Sequence, residues 1–133
     1  MVLAGPHPRA LIDPVPPEAL RAEVRRTMEL VLSLDLQPMH LVAWQAFWVG
    51  LFCRMLHTLA TGAVSSKKAS MAWAQGALDP AWRGLIARAA AVRKGDTAQS
   101  GAPVDPAEAE ATRAFARYAA DYAAYMARGA RRD

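Results

Sequence analysis

Apolar residues recur at helical spacing along most of this chain. Leu20, Val24, Met28, Val31 and Leu32 fall on one face, with Glu23, Arg25, Arg26 and Glu29 mostly elsewhere. That pattern predicts an amphipathic helix over residues 17–33, with Pro17 suited to its first turn. A second helix is predicted from about Pro38 to Thr61. It is apolar nearly all round, through Leu41, Val42, Trp44, Phe47, Trp48, Val49, Leu51, Phe52, Met55, Leu56 and Leu59. Such a helix is expected to be central in a bundle or covered by a partner. Gly62 stands as its C-terminal stop. A third helix is expected from Ser65 or Ser66, carrying Met71, Ala72, Trp73 and Leu78. Asp79-Pro80 is a cap followed by proline, so a fourth helix starts there and ends near Gly95. Residues 95–104 read as a loop. Asp105-Pro106-Ala107-Glu108 repeats the cap-proline signal, with Glu108 placed to close a capping box. The last helix carries Phe115, Tyr118, Tyr122 and Met126 at helical spacing to about Arg128. Neither a strand pattern nor an internal repeat is seen. The prediction is an all-α fold, a single bundle of about five helices over residues 17–133, behind a proline-rich arm at residues 1–16.

Composition narrows this picture. A chain of 133 residues is long enough for one domain with a buried core, and 53% apolar with 21% charged residues is an ordinary globular balance. The net charge of +4 permits an anionic ligand without demanding nucleic acid. Met1-Val2-Leu3-Ala4 is followed by Gly5-Pro6 and is too short for a signal-peptide core. Cys53 has no second cysteine to pair with, so a reducing cytoplasm is the expected location. The apolar run Leu41 to Cys53, broken only by Gln45 and ended by Arg54, is shorter than the roughly 20 residues of a membrane span.

The stretch Ser65-Ser66-Lys67-Lys68 carries the sharpest chemical signal. The first turn of a helix holds unpaired N–H groups and partial positive charge, which favour carboxylates rather than lysines. Two lysines there suit an anion such as a phosphate, docked by N–H groups, a serine hydroxyl and an ammonium. The plainer alternative is a serine cap followed by solvated lysines. Cys53, His57 and His40 lack the fourth ligand and orderly spacing of a zinc site, and no metal is expected. Trp44, Trp48, Trp73 and Trp82 read as core or interface, with ring stacking as the alternative. Arg54, a lone charge in an apolar helix, is expected in a salt bridge or clamping a backbone carbonyl. Arg128-Gly129-Ala130-Arg131-Arg132-Asp133 reads as a solubilising helix end. Paired catalytic carboxylates, a Gly-rich phosphate loop and a nucleophile elbow are all missing, so no catalytic residue is assigned.

In order, Cys53-Arg54-Met55-Leu56-His57-Thr58-Leu59-Ala60-Thr61-Gly62, Val64-Ser65-Ser66-Lys67, Ala72-Trp73-Ala74 and Trp82-Arg83-Gly84-Leu85-Ile86 resemble the C-terminal helical domain of the aminoglycoside 3''-adenylyltransferases. Those are the streptomycin/spectinomycin resistance enzymes. Gly5-Pro6-His7-Pro8 with Asp13-Pro14-Val15-Pro16 looks like the segment leading into that domain, so the resemblance covers most of residues 3–95. It implies a substrate-side domain that closes a cleft against a nucleotidyltransferase domain. Lys67 would contact the ATP phosphates with Ser66 beside it, while Mg²⁺ and the catalytic base would belong to the other domain and not to this chain. At the drug-facing stretch, acidic and polar in the resistance branch, this chain has Trp44-Gln45-Ala46-Phe47, which speaks against a cationic aminoglycoside. A tyrosine common before Thr58-Leu59 is His57 here.

Two functions follow as expectations. One is the substrate-side domain of an ATP-dependent adenylyltransferase, inactive without a separate catalytic domain. The other is a non-catalytic helical protein-interaction or dimerisation module derived from that domain, self-associating or binding another protein through Trp44, Phe47 or Trp48. An independent enzyme finds no catalytic constellation, and neither nucleic acid nor membrane is expected as a partner.

Overall fold

The computed structural model describes residues 15–93 and 101–132. Helix α1, Pro17–Ser33, starts with proline at its first position and turns Met28 and Val31 inward. It ends without a glycine. Asp35 and Leu36 both adopt φ of 54°, and the Leu36 N–H reaches back to the Val31 carbonyl at 3.3 Å. Left-handed backbone costs roughly 1–2 kcal/mol per residue. Leu36 is fully sheltered in the core, and burying a leucine contributes about 1.5–3 kcal/mol, enough to offset its own turn.

Helix α2 is Val42–Thr61, beginning later than the sequence predicts. The residues before it are held extended instead. Gln37–Pro38 is a cis peptide, and the backbone around Leu41 pairs with that around Pro103. The Val42 N–H donates to the Ala102 carbonyl at 2.9 Å and the Val104 N–H to the His40 carbonyl at 3.0 Å. Those partners satisfy backbone groups that a longer helix would have used.

The remaining elements are α3, Lys67–Ala77, a 3-10 turn at Pro80–Trp82, α4, Arg83–Arg93, and α5, Pro106–Arg132. Asp105 caps α5 as predicted, while Asp79 caps the 3-10 turn and the fourth helix starts only after it; they accept from the N–H groups of Ala107 and Ala81 at 2.8 and 2.9 Å. Glu108 does not close a capping box. Its carboxylate takes a two-pronged bond from Arg88 at 3.0 and 2.7 Å, tying α5 to α4. Helix α5 also continues past the predicted end at Arg128. Residues 1–14, most of the predicted arm, and the predicted loop residues 95–100 lie outside the described residues.

The described residues form an all-α bundle of five helices, and α2 is its centre: it packs on each of the other four. Phe52, Leu56, Leu59, Val49 and Cys53 are completely buried among Met71, Ile86 and Phe115 from α3, α4 and α5. Gln45 is buried too. Its Nε2 donates to Thr112 Oγ1 at 2.8 Å, and that hydroxyl donates to the Glu108 carbonyl at 2.8 Å, so a polar link crosses the core without an orphan on this path. Among the described residues no helix is long and apolar enough to cross a membrane.

Two positions generate stability predictions. Gly62 has φ of 75°, and a Cβ there would sit 2.8 Å from Pro17 Cβ. Gly62→Ala is expected to lower stability by about 1–3 kcal/mol, from left-handed strain plus contact. Ser70 Oγ is buried with no hydrogen-bond partner. Ser70→Ala removes a stranded hydroxyl worth roughly 1–3 kcal/mol of desolvation, so it should raise stability. Denaturant midpoints of the two variants, moving in opposite directions, check both.

Candidate functional site at the start of helix α3

The site begins with the end of α2. Gly62 takes the left-handed turn that only glycine enters without penalty, and its N–H bonds the Thr58 carbonyl at 2.7 Å. Arg21 of α1 lies against this turn and donates from Nε to the Leu59 carbonyl at 3.1 Å. A cation on the last carbonyls of a helix opposes the negative end of its dipole. The chain then doubles back: Thr58 Oγ1 holds the Ala63 carbonyl at 3.0 Å. Helix α3 next runs along α2 in the same sense, since Lys67 meets Phe47 and Trp73 meets His57 further on.

Ser66 is the N-cap of α3, its Oγ accepting from the Ala69 N–H at 3.0 Å. That leaves the hydroxyl proton able to donate outward. Lys67 is the first helical residue. Its ammonium lies 3.6 Å from the centroid of the Phe47 ring, a cation–π contact. Phe47 is itself set edge-on to Trp44 at 5.8 Å and to Trp48 at 5.0 Å. The structure therefore brings together two features far apart in sequence, the Ser66-Lys67 helix start and the Trp44–Phe47 stretch. Lys68 is exposed beside them.

Several predicted residues take other places. Gln45, the polar member of the Trp44–Phe47 stretch, is only 4% exposed and spends its amide on Thr112. Trp48 is buried and its indole N–H donates to the Pro38 carbonyl at 2.7 Å. Of the three aromatic residues expected at a contact, Trp44 is the exposed one, at 37%. Arg54 makes no ion pair and clamps no carbonyl among the described residues, contrary to expectation; it is half-buried and seven residues from Phe47, on the same helix face. The clamps belong to Arg21 and to Arg83, which donates to the Gln75 carbonyl at 3.0 Å. Cys53 is wholly buried, while the His57 ring packs edge-on against Trp73 at 5.2 Å and His40 is exposed. Among the described residues no group of three His, Cys, Asp or Glu side chains could hold a metal ion.

No carboxylate among the described residues meets Arg54, and its neighbourhood in sequence supplies none. Residues 36–78 contain no Asp or Glu, yet hold Arg54, Lys67 and Lys68. The carboxylates described elsewhere are mostly committed. Glu18, Glu23, Asp35, Glu108 and Glu110 pair with Arg21, Arg26, Arg113, Arg88 and Arg117. Asp79 and Asp105 cap helices. Glu29 and Asp121, on α1 and α5, complete the described set. Among the described residues the α2–α3 face carries Arg54, Lys67 and Lys68 beside aromatic rings, side chains able to meet an anion.

The family described as aminoglycoside adenylyltransferase, C-terminal domain, matches residues 10–121 of the chain. No curated protein and no solved structure matched.

Burial pushes the Cys53 thiol up to about 12 from its ordinary value of 9.0. The folded state therefore keeps a proton that the unfolded chain releases, and this contribution is complete below pH 9.0 and lost as pH rises towards 12. Cys53 is expected to resist a thiol reagent at neutral pH until denaturant is added, and Cys53→Ala should flatten the alkaline fall in stability. Rapid labelling of the native protein would contradict this.

Proposed function

The chain belongs to the aminoglycoside adenylyltransferase C-terminal domain family, and from that membership we propose that it is the substrate-side helical domain of an ATP-dependent nucleotidyltransferase. The observation that carries the proposal is the placement of Lys67 at the N-terminus of α3, with the Ser66 cap behind it and no carboxylate in the first turn. In adenylyl transfer, an acceptor hydroxyl oxygen bonds to the α-phosphorus of ATP, the bond to pyrophosphate breaks, and the hydroxyl proton goes to a base. Charge builds on the phosphate oxygens throughout, so cations and helix N–H groups aimed at them lower the barrier. In our reading Lys67 meets those oxygens, with the Ser66 hydroxyl proton and the α3 N-terminus in support. The base and the carboxylates that hold Mg²⁺ belong to a separate nucleotidyltransferase domain, and this chain alone does not turn over.

Lys67→Ala should weaken ATP binding, measured with a matching nucleotidyltransferase domain present, by roughly 10- to 100-fold, the worth of one charge-assisted hydrogen bond. It should also abolish complementation of drug resistance. Ser66→Ala serves as the comparison, costing about 1 kcal/mol of stability through the lost cap. Unchanged affinity and complementation in Lys67→Ala would refute the role of Lys67. Robust adenylylation by the purified chain alone would refute the dependence on a second domain.

A further inference from the structure

We propose that Phe47 is a positioning residue for Lys67, its ring holding the ammonium at the start of α3 where the phosphates arrive. The proposal rests on the reading of Lys67 as the ATP-phosphate contact, and it adds the residue that sets the direction of that side chain. A lysine carries its charge on a flexible four-carbon stem, and ordering that stem on binding weakens affinity unless it is ordered beforehand. Long side chains in a helix lie back over the preceding turn. Lys67 is the first residue of α3 and has no preceding turn to lie on. Phe47 of α2 supplies the missing surface. Lys67 Nζ stands over the ring, 3.6 Å from its centroid, the geometry of a cation on the negative π face. The ring is itself fixed. It stands nearly perpendicular to Trp44, at 81°, and to Trp48, at 73°. Rotation of Phe47 about its own axis would break both edge-to-face contacts. Trp48 is anchored in turn, buried and with its indole N–H donating to the Pro38 carbonyl at 2.7 Å. The contacts therefore run from the Pro38 carbonyl through Trp48 and Phe47 to the ammonium. A neutral ring orients that ammonium without adding a negative charge that would repel a phosphate.

Calorimetric titration of ATP into the full chain at low ionic strength tests this, with Phe47→Leu, Phe47→Tyr, Lys67→Ala and the Phe47→Leu/Lys67→Ala double variant. Phe47→Leu should weaken ATP binding about two- to tenfold, the range of a cation–π contact. Phe47→Tyr keeps a ring and should stay within about twofold of the wild type. In the Lys67→Ala background Phe47→Leu should change nothing further, because the ring acts through the ammonium. An equal loss in that background would overturn the proposal, since the ring would then serve the ligand or the fold directly. So would a loss in Phe47→Tyr as large as that in Phe47→Leu. If Lys67→Ala weakens binding and Phe47→Leu does not, the proposal fails and the role of Lys67 stands. If Lys67→Ala changes nothing, or the wild type binds no ATP up to about 10 mM, both readings fall. A second readout needs no ATP. The Lys67 ε-methylene protons, followed by NMR, should be shifted upfield by the ring, lose that shift in Phe47→Leu and keep it in Phe47→Tyr. Wild-type protons at ordinary lysine positions would overturn the proposal.

Discussion

Helix α2 is apolar around most of its circumference and buries most of its length, and that constraint organises the molecule. Its residues Val49, Phe52, Cys53, Leu56 and Leu59 are completely buried, and covering them takes all four other helices. Burial of side chains this size contributes about 1.5–3 kcal/mol each. The five surface ion pairs among the described residues contribute at most about 1 kcal/mol apiece. Packing on α2 therefore sets where the other helices sit. The placement of α3 follows: Met71, Ala74 and Ser70 face inward, and the helix start arrives beside Phe47. The candidate site is a consequence of how the core is closed.

The turn between α2 and α3 shows how narrow the tolerance is. Gly62 is pressed between its own left-handed backbone and the Pro17–Arg21 face of α1. Arg21 then takes up the Leu59 carbonyl that the helix end leaves over. A loosened turn would move Ser66 and Lys67 together, because the cap bond to Ala69 fixes one to the other.

Local rules were enough to read the helices, because periodic burial and Asp-Pro starts are properties of short windows. They located α1, α3, the caps at Asp79 and Asp105, and the stop at Gly62. They failed where distant segments decide. The start of α2 was put near Pro38, since nothing near Pro38 announces the backbone pairing of His40 and Val42 with Ala102 and Val104. The stop after α1 has no glycine; burial of Leu36 substitutes for it. Glu108 fits a capping box by spacing, yet Arg88, twenty residues away, takes its carboxylate. For the site, Ser66 and Lys67 were visible as an odd helix start, but their nearness to Phe47 was not. The turning of Gln45 towards Thr112, 67 residues on, was equally hidden. The long run without a carboxylate was present in the sequence, and it gains meaning once α2 and α3 are seen to share a face.

The central claim is that an anion lies where α3 begins, against the aromatic face of α2. Backbone amide and indole chemical shifts, followed by NMR while ATP is added to the full chain, test it most directly. The account predicts that the largest shifts fall on Lys67, Lys68 and Ala69 and on the Trp44 indole, with the Trp82 indole on the α4–α5 side unmoved. Shifts centred away from the start of α3, or none at saturating ATP, would contradict it.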